Sequence, residues 1–473
     1  MKKILLFTVL AAIVFNIRPV YAGIDFDNYF HDKTLRFDYY HTGNATEEHF
    51  AFDQIVNDGV WAGSKTQLID ELRLGKYFFE IVDITSGRII YSRGFCSIYG
   101  EWETTGEAKE NWGVNHESLR FPWPKKEVKI NYYKRNDDQK FEKIWEHSVN
   151  IDTWRTADAT VKDFYKTVDI VNSGDPCTKV DIVVLSEGYT SGEMDKFRKD
   201  AKKFAETLLS VEPFASRKDE FNIRAVEVPS PVSGVHHPHQ DIHTRSALSV
   251  RYGAFGSQRY ALGFDNKKIR DASSAVPYDF TVILMNDSIY GGGGIYNLFI
   301  TAAADNAFNE YLFVHEFGHH FADLADEYYT SSTAYEMGSA IVEPHELNVT
   351  TYTEKDKIKW GEMIEEGTPL PTPWGQEEFD EHSIEIQKKR KELRDARAEE
   401  KELEDLFMKQ RKWEDDYLGK IEYAGKTGLY EGGMYHSKGI YRSAPGCIMF
   451  IRTDYFCPAC RRAINLVIDQ YVK

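Results

Sequence analysis

The chain has 473 residues, of which 42% are hydrophobic and 14% are aromatic. This composition can support a large buried core and argues against global disorder, and the length fits two or three domains. The formal net charge of −17 argues against nucleic acid as a partner, because phosphate groups would be repelled.

The first 22 residues have the organisation of a secretory signal peptide. Two lysines follow the initiating methionine, residues 4–15 form a short apolar run, and residues 20–22 (VYA) form a small-x-small cleavage site. We therefore predict an exported protein whose mature chain begins near Gly23, in the periplasm, at the cell surface or in the medium. A membrane anchor is the alternative, but the run is too short to span a bilayer and no later stretch is apolar enough.

Residues 23–165 are predicted to form a β-rich N-terminal accessory domain. The stretches TLRFDYYHTG, GKYFFEIVDITSGRIIYSRGF and KEVKINYYKR alternate apolar and polar residues and break at Gly, Asn and Asp, as half-buried strands do. They predict a small antiparallel β-sandwich without a catalytic cluster. Its aromatic residues could bind glycan or protein, but packing within the sheet is the preferred interpretation.

A different pattern begins near Cys177 and predicts an α/β domain over residues 166–473. KVDIVVLSEGYT contains a continuous apolar run typical of a buried strand, and the next stretch has helical spacing, with Ser191 as its predicted cap. FNIRAVEVPS and YDFTVILMND are predicted to be further strands. The fold class is therefore α+β, with an antiparallel sandwich followed by an α/β domain.

Four consecutive glycines, Gly291 to Gly294, lie shortly before a histidine-rich segment. Because they lack side chains, they allow another backbone to approach closely. The segment is interpreted either as a flexible loop or as a sheet edge along which an extended peptide can bind.

Residues 376–418 are strongly charged and contain neither glycine nor proline. This composition favours a long helix or a helical hairpin. We interpret the stretch as an insertion that forms a solvated arm or a dimer contact, and the sequence leaves the oligomeric state undetermined.

The stretch VHEFGHHFADLADEYY, residues 314–329, carries the strongest chemical signal. On a helix, His315 and His319 point the same way, one turn apart, so two imidazoles can bind one Zn²⁺ ion. Glu316 is turned by about 100° from His315, where a base can take a proton from water on the metal without binding the metal itself. His320 lies off this face and is interpreted as a surface histidine or one packed in the core.

A catalytic zinc ion needs a third protein ligand and an open position. A third ligand four residues further along a straight helix would be too distant, because the three would span about 12 Å. The chain is therefore predicted to leave the helix at Asp323, since Asp tolerates the left-handed conformation, and to fold back. Asp326 is the preferred third ligand and Glu327 is the alternative, the other carboxylate orienting a histidine or closing the turn.

With these residues in view, HEFGHHFADLADEYY resembles the signature of the M64 metallopeptidases, a family named for IgA-cleaving members. VVLSEGYTSGEM, EPF and FNIRAV resemble the start of its catalytic domain, and GLYEGGMYHSKGIYR and CIMFIRTDYFCPACR resemble its end. The N-terminal region resembles its accessory domain. The resemblance covers nearly the whole mature chain apart from residues 376–418, and it implies a zinc endopeptidase with a metzincin-like fold that acts on proteins or peptides.

Two features of the metzincins bear on the site. They carry Gly three residues after the second histidine and a ligand six residues after it, where this chain has Ala322 and Ala325, so Asp326 comes one residue late. They also have a methionine turn under the metal, and the resemblance makes Met449 of GCIMF the candidate.

Peptide hydrolysis also needs a donor for the developing oxyanion. By analogy with some metzincins, Tyr455, six residues beyond Met449, is the first candidate. Tyr435, His436 and Tyr441 compete with it.

Two other groups of possible ligands are interpreted without a metal. The stretch HHPHQDIH, residues 236–243, is interrupted by proline and is read as a solvated loop. Cys457 and Cys460 form a CPAC sequence near Cys447, but a zinc ribbon needs four thiolates. A local disulfide between Cys447 and either Cys457 or Cys460 is the preferred prediction, since an exported chain can form one.

Together these features predict an exported zinc endopeptidase with Glu316 as its base. Two alternatives remain open: a non-catalytic surface binding protein on a peptidase-like scaffold, and a zinc hydrolase that acts on cell-wall peptides. No nucleic-acid partner and no membrane span are expected.

Overall fold

The computed structural model describes residues 23–158, 164–331 and 341–472. The predicted signal peptide lies outside these ranges, so its prediction is not tested. Within them, no helix has both the length and the apolar character needed to cross a bilayer.

The N-terminal region consists mainly of strands. Its elements are α1 (Phe26–Tyr29), β1 (Phe30–Gly43), β2 (Glu48–Asn57), β3 (Tyr77–Asp83), β4 (Ile89–Phe95), α2 (Ile98–Trp102), α3 (Gly106–Glu110), β5 (Gly113–Pro124), β6 (Val128–Arg135), β7 (Phe141–Val149) and β8 (Thr156–Asp158).

These strands form two four-stranded sheets, in the orders β5-β1-β2-β8 and β4-β3-β6-β7. Neighbouring strands are antiparallel, apart from the parallel pair of β2 with the short β8. Alternate side chains of both sheets, among them Phe37, Ile81 and Phe121, are buried in one shared core. The predicted β-rich region is confirmed.

The rest of the chain mixes helices and strands. Its elements are β9 (Lys166–Val171), β10 (Val180–Glu187), α4 (Met194–Leu208), β11 (Phe221–Glu227), β12 (Val250–Tyr252), β13 (Ala261–Gly263), α5 (Asn266–Ser273), β14 (Phe280–Met285), β15 (Gly292–Ile295), β16 (Phe299–Ala303), α6 (Asn309–Ala322), β17 (Val349–Thr350), α7 (Gln376–Asp395), α8 (Glu400–Leu418), β18 (Tyr430–Gly433), β19 (His436–Arg442) and α9 (Pro458–Val472).

A six-stranded sheet in the order β15-β16-β14-β10-β11-β9 organises this region. Its four inner strands are parallel, and the edge strands β15 and β9 are antiparallel to their neighbours. Every residue of β10, β11 and β14 is buried, as expected for strands covered on both faces. Helix α6 contacts β15 and β16 at one end of the sheet, so the histidine-rich segment lies next to the glycine-rich edge strand.

The helix predicted after the first buried strand is α4, but its predicted cap is wrong. A 3₁₀ turn over Ser191–Glu193 precedes α4, and Thr190 forms the capping box with Glu193 instead of Ser191. The carboxylate of Glu193 accepts a hydrogen bond of 2.8 Å from the backbone N–H of Thr190. The extra turn moves the capping position back by one residue.

The charged stretch forms the helical hairpin α7–α8, but it is not a solvated arm. Four of its apolar side chains are buried in the core of the mixed α and β region: Phe379, Leu403, Phe407 and Leu418. Glu400 also accepts a hydrogen bond of 2.9 Å from the backbone N–H of Tyr290. A few apolar positions therefore dock the hairpin, although charged residues dominate its composition.

Candidate active site

Helix α6 carries the two predicted metal-binding histidines and packs closely on the turn that contains Met449. A Cβ atom added to Gly318 would lie 3.1 Å from Met449 Sδ, so the helix and the turn approach each other closely at this crossing. The helix ends at Ala322, and Asp323 adopts the left-handed conformation with φ 50° and ψ 39°. The predicted break in the helix is confirmed.

After this break the chain folds back and brings Asp326 to the two histidines. The Nε2 atoms of His315 and His319 are 3.2 Å apart. Asp326 Oδ1 lies 3.3 Å from the first and 3.2 Å from the second. Donors at about 2.0–2.1 Å from one tetrahedral zinc ion would be roughly 3.3 Å from one another, so this donor set fits such an ion.

Both imidazoles are held with Nε2 directed at this point. His315 Nδ1 lies 2.9 Å from the carbonyl oxygen of Ile448, and His319 Nδ1 lies 2.5 Å from that of Leu324. A carbonyl oxygen can only accept, so each Nδ1 carries a proton, and in the neutral form of each imidazole Nε2 keeps the lone pair. The arrangement is the one that a histidine needs to bind a metal.

The Asp326 carboxylate and the two imidazoles stabilise each other's charged forms. Burial lowers the pKa of His319, but Asp326, Glu316 and the hydrogen bond to Leu324 together raise that pKa to about 9. Burial likewise disfavours ionised Asp326, yet the two imidazoles hold its pKa well below the usual range. A cation is therefore favoured at this position.

Glu316 lies in the wall of a cleft of about 360 Å³ that also contains the two histidines and Asp326. Only 7% of Glu316 is exposed, so its carboxylate is shielded from bulk water and available to groups inside the cleft. His320 lies elsewhere, as predicted, because its Nδ1 donates to the carbonyl oxygen of Ile295 at 2.9 Å. Burial lowers the pKa of His320 to about 3, which keeps it neutral in the core.

The hairpin between β18 and β19 supplies a tyrosine to the cleft. Its two tip residues, Met434 and Tyr435, have φ values of 46° and 63°, as a two-residue type I′ turn requires. Their backbone N–H groups donate to the carbonyl oxygens of Asp326 and Tyr328 at 2.9 and 3.1 Å, which holds this strained tip in place. The Tyr435 hydroxyl donates to Asp326 Oδ2 at 2.5 Å.

The structure does not bring Tyr455 to the site. Its side chain is 49% exposed, and a Cβ on Gly446 would meet its hydroxyl. The chain reverses between Gly446 and Tyr455, because Ile448 N–H donates to the carbonyl oxygen of Tyr455 at 2.8 Å, and Tyr455 is not among the residues that line the cleft. His436 and Tyr441 also lie outside the described cleft lining, whereas Tyr435 belongs to it.

Glu327, the alternative third ligand, does not face the histidines. It is fully buried, and its Oε1 lies 3.4 Å from Cys457 Sγ and 3.3 Å from Cys460 Sγ. The predicted disulfide is absent: the cysteines are free. Cys447 Sγ lies 3.7 Å from Cys460 Sγ, far beyond the disulfide bond length of about 2.05 Å.

Sequence reasoning missed a contribution from the N-terminal region. Glu101 of α2 lines the same cleft, and its Oε2 accepts a hydrogen bond of 2.5 Å from the Tyr260 hydroxyl. Removal from solvent raises the pKa of Glu101 to about 7. No local pattern in the sequence distinguishes this glutamate.

The histidines of residues 236–243 belong to neither group of possible metal ligands found among the described residues. His237 is buried, and its Nε2 lies 2.7 Å from Asp287 Oδ2. The prediction of a solvated loop is therefore wrong for His237.

Two family models match the chain. The family model described as IgA Peptidase M64 matches residues 168–468, and the model described as Peptidase M64 N-terminus matches residues 25–146. Among curated proteins, no sequence matches the chain. Because the first family match alone spans well over half of the sequence, the chain belongs to the M64 peptidase family.

Proposed function

We propose that the protein is an exported zinc-dependent endopeptidase with a metzincin-like active site. The observation that carries the proposal is the approach of His315 Nε2, His319 Nε2 and Asp326 Oδ1 to within 3.3 Å of one another. Two imidazoles and a carboxylate are donors that catalytic zinc sites use. The proposal of export rests on the sequence of residues 1–22, which has the features of a signal peptide.

Glu316 is the proposed general base. When bound, zinc would act as a Lewis acid that polarises the peptide carbonyl. The Glu316 carboxylate takes a proton from the attacking water and then delivers it to the leaving amine. Because Glu316 follows His315 directly on α6, the helix determines its position relative to the histidines.

Tyr435 replaces Tyr455 as the proposed donor to the developing oxyanion. Its hydroxyl reaches the carboxylate of Asp326, and its ring lies in the cleft wall. A hydroxyl held there can stabilise negative charge as it forms.

The edge strand β15 supports binding of an extended peptide. Gly292 N–H donates outward to the carbonyl oxygen of Arg259 at 3.1 Å. Because hydrogen-bonding direction alternates along a strand, the N–H and C=O of Gly294 point the same way, away from β16. Gly294 lines the cleft beside Glu316, so a substrate backbone could add to the sheet at this point.

Two further features support the metzincin-like assignment. Met449 is fully buried beneath Gly318. Its carbonyl oxygen accepts a hydrogen bond of 2.8 Å from Glu327 N–H. The turn around Met449 therefore supports both α6 and the segment that carries Asp326.

The test is digestion of a mixed protein library by the purified full chain, with and without a chelator. The Glu316→Gln variant should retain zinc and lose about 10²–10⁴-fold in rate, the usual contribution of a general base. Glu310→Gln is the matched control, because Glu310 lies on the same helix with its side chain 64% exposed. The control should cut as fast as the parent.

The same experiment separates the alternatives. A zinc-loaded parent that binds proteins but cuts none would identify a non-catalytic binding protein. A parent that cuts cell-wall peptides but no protein would identify a zinc hydrolase specific for cell-wall peptides. A Glu316→Gln variant as active as the parent would overturn the mechanism.

A further inference from the structure

Three cysteine thiols and one carboxylate converge inside the protein, away from the histidine cluster. Cys447, Cys457, Cys460 and Glu327 are each at most 1% exposed. One ligand atom from each lies within 4.8 Å of all the others. They come from three separate parts of the chain: the segment after α6, the turn before Met449 and the start of α9.

We propose that these four residues, named here the thiolate site, bind a second Zn²⁺ ion in a structural role. With Zn–S bonds of about 2.3 Å and a Zn–O bond of about 2.0–2.2 Å, a tetrahedral ion would place its sulfur ligands about 3.8 Å apart and sulfur and oxygen about 3.5–3.7 Å apart. Cys447 Sγ and Cys460 Sγ are 3.7 Å apart. Glu327 Oε1 lies 3.4 and 3.3 Å from the sulfurs of Cys457 and Cys460.

The backbone around the sulfurs favours thiolates. Cys457 N–H points at Cys447 Sγ at 3.2 Å, and Cys460 N–H points at Cys457 Sγ at 3.5 Å. The CPAC sequence also lies at the first turn of α9, where the partial positive charge of the helix favours anionic sulfur.

The Glu327 carboxylate is oriented by a hydrogen bond from a neighbouring side chain, as carboxylates that bind metals commonly are. Asn348 Nδ2 donates to Glu327 Oε1 at 3.1 Å and to the carbonyl oxygen of Ala325 at 2.9 Å, so Glu327 is held toward the sulfurs. Glu327 Oε2 is buried and has no hydrogen-bond partner among the described residues. A buried carboxylate is costly unless a cation or several donors compensate it.

Two other uses of the thiols fit less well. A disulfide would consume two of the three sulfurs and leave the third beside a buried carboxylate. A redox-active CxxC pair must be accessible to a partner thiol, and these sulfurs are at most 1% exposed. Four protein ligands would also fill the coordination shell of zinc, which is the pattern of structural sites and not of catalytic ones.

Binding at the thiolate site would release the protons that the thiols still hold and would connect the elements that support the histidine cluster. Ile448, whose carbonyl oxygen orients His315, directly follows Cys447. Asp326 directly precedes Glu327. The second ion would therefore hold both partners of the first site in position.

The test uses the full chain with His315→Ala and His319→Ala, which removes the histidine cluster and leaves the thiolate site intact. We expect two zinc equivalents per parent chain and one per double variant by elemental analysis. X-ray absorption at the zinc edge of the double variant should show mainly sulfur at about 2.3 Å. Replacement by Co²⁺ should give intense near-ultraviolet thiolate charge-transfer bands.

Matched cysteine variants locate the ion. In the histidine-free background, Cys457→Ser should lose the remaining equivalent, whereas Cys177→Ser should keep it, because Cys177 lies near Asp175 at the surface. The X-ray absorption and cobalt measurements are made with the thiolate site unchanged. They therefore still test the proposal if the Cys457→Ser variant does not fold.

A histidine-free chain without zinc and without cobalt–thiolate bands would overturn the proposal. So would a cross-link between any two of the three cysteines, detected by mass spectrometry of the native chain. Neither readout uses peptidase activity, so failure here is distinguishable from failure of the proposed function.

Discussion

The carboxylates of Asp326 and Glu327, which are neighbours in the chain, point to opposite sides of the segment after α6. Asp326 Oδ1 lies 3.2 Å from His319 Nε2, and Glu327 Oε1 lies 3.3 Å from Cys460 Sγ. The backbone alternates in the same way, since Asp326 accepts from the β18–β19 hairpin and Glu327 donates to Met449. Successive side chains of an extended chain face opposite directions, so one short segment serves two clusters.

Replacement of Asp326 by Asn should weaken zinc binding at the histidine site. The variant loses the anionic donor between two imidazoles, and we expect zinc affinity to fall by more than the 10- to 100-fold that loss of an outer partner costs. Competition with a chromophoric chelator measures this. Asp356→Asn, at an exposed position, is the control, and equal affinities for the two variants would exclude Asp326 as a ligand.

Removal of the Tyr435 hydroxyl should lower activity, whereas the same change at Tyr455 should not. Tyr435→Phe loses the hydrogen bond to Asp326 and the proposed oxyanion donor, and we expect kcat to fall about 10²-fold or more with a smaller change in KM. Tyr455→Phe alters an exposed ring outside the cleft. If Tyr455→Phe lost as much kcat as Tyr435→Phe, our assignment of the donor would be wrong.

Zinc affinity of the histidine site should rise with pH between about 6 and 8. In the metal-free chain the pKa of His319 is raised to about 9, so over this range a proton must leave before His319 can bind. Affinity should increase by up to about tenfold per pH unit for that proton.

The Asp326→Asn variant provides a check on the origin of this pH dependence. It removes the charge that raises the pKa of His319, so the rise in affinity should move to lower pH in the variant. Isothermal titration in two buffers would report the proton released. If zinc binding to the parent released no proton at pH 7, the raised pKa of His319 would be contradicted.

The packed hairpin α7–α8 can be tested at two adjacent residues. Phe407 is 1% exposed and Met408 is 60% exposed, and the Phe407 ring contacts Tyr290 and Phe308. Phe407→Ala should lower the free energy of unfolding by about 3–5 kcal/mol, and Met408→Ala should change it by about 0.5 kcal/mol or less. Equal effects in denaturant titrations would indicate that the hairpin does not pack on the core.

Much of the histidine cluster could be predicted because its geometry is local. A spacing of four residues places His315 and His319 on one side of any α-helix, and an aspartate at the helix end permits the left-handed turn at Asp323. The buried strands β10 and β14 could also be predicted, because continuous apolar runs need cover on both faces. The cap of α4 could not, because a 3₁₀ turn has no clear signature.

The failed predictions share a different origin. Tyr455 was selected by its spacing from Met449, but the direction of a side chain after a turn depends on what the turn packs against. The solvated arm was predicted from the charged composition of α7–α8, but a few apolar residues are enough to pack this hairpin on the core. Glu101 was missed because it reaches the cleft from α2 in the N-terminal region, and nothing near it in the chain indicates this contact.

The sequence by itself predicted the pair of histidines with their glutamate and the strands β10, β11 and β14, because short spacings and apolar runs act through local backbone geometry, and its motifs carried the resemblance to the family. Only the tertiary structure decided that Tyr435 and Glu101 enter the cleft and that Glu327 joins three cysteines. The three cysteines lie more than a hundred residues beyond Glu327 in the chain. Such contacts depend on how packed elements meet, which residue spacing does not encode.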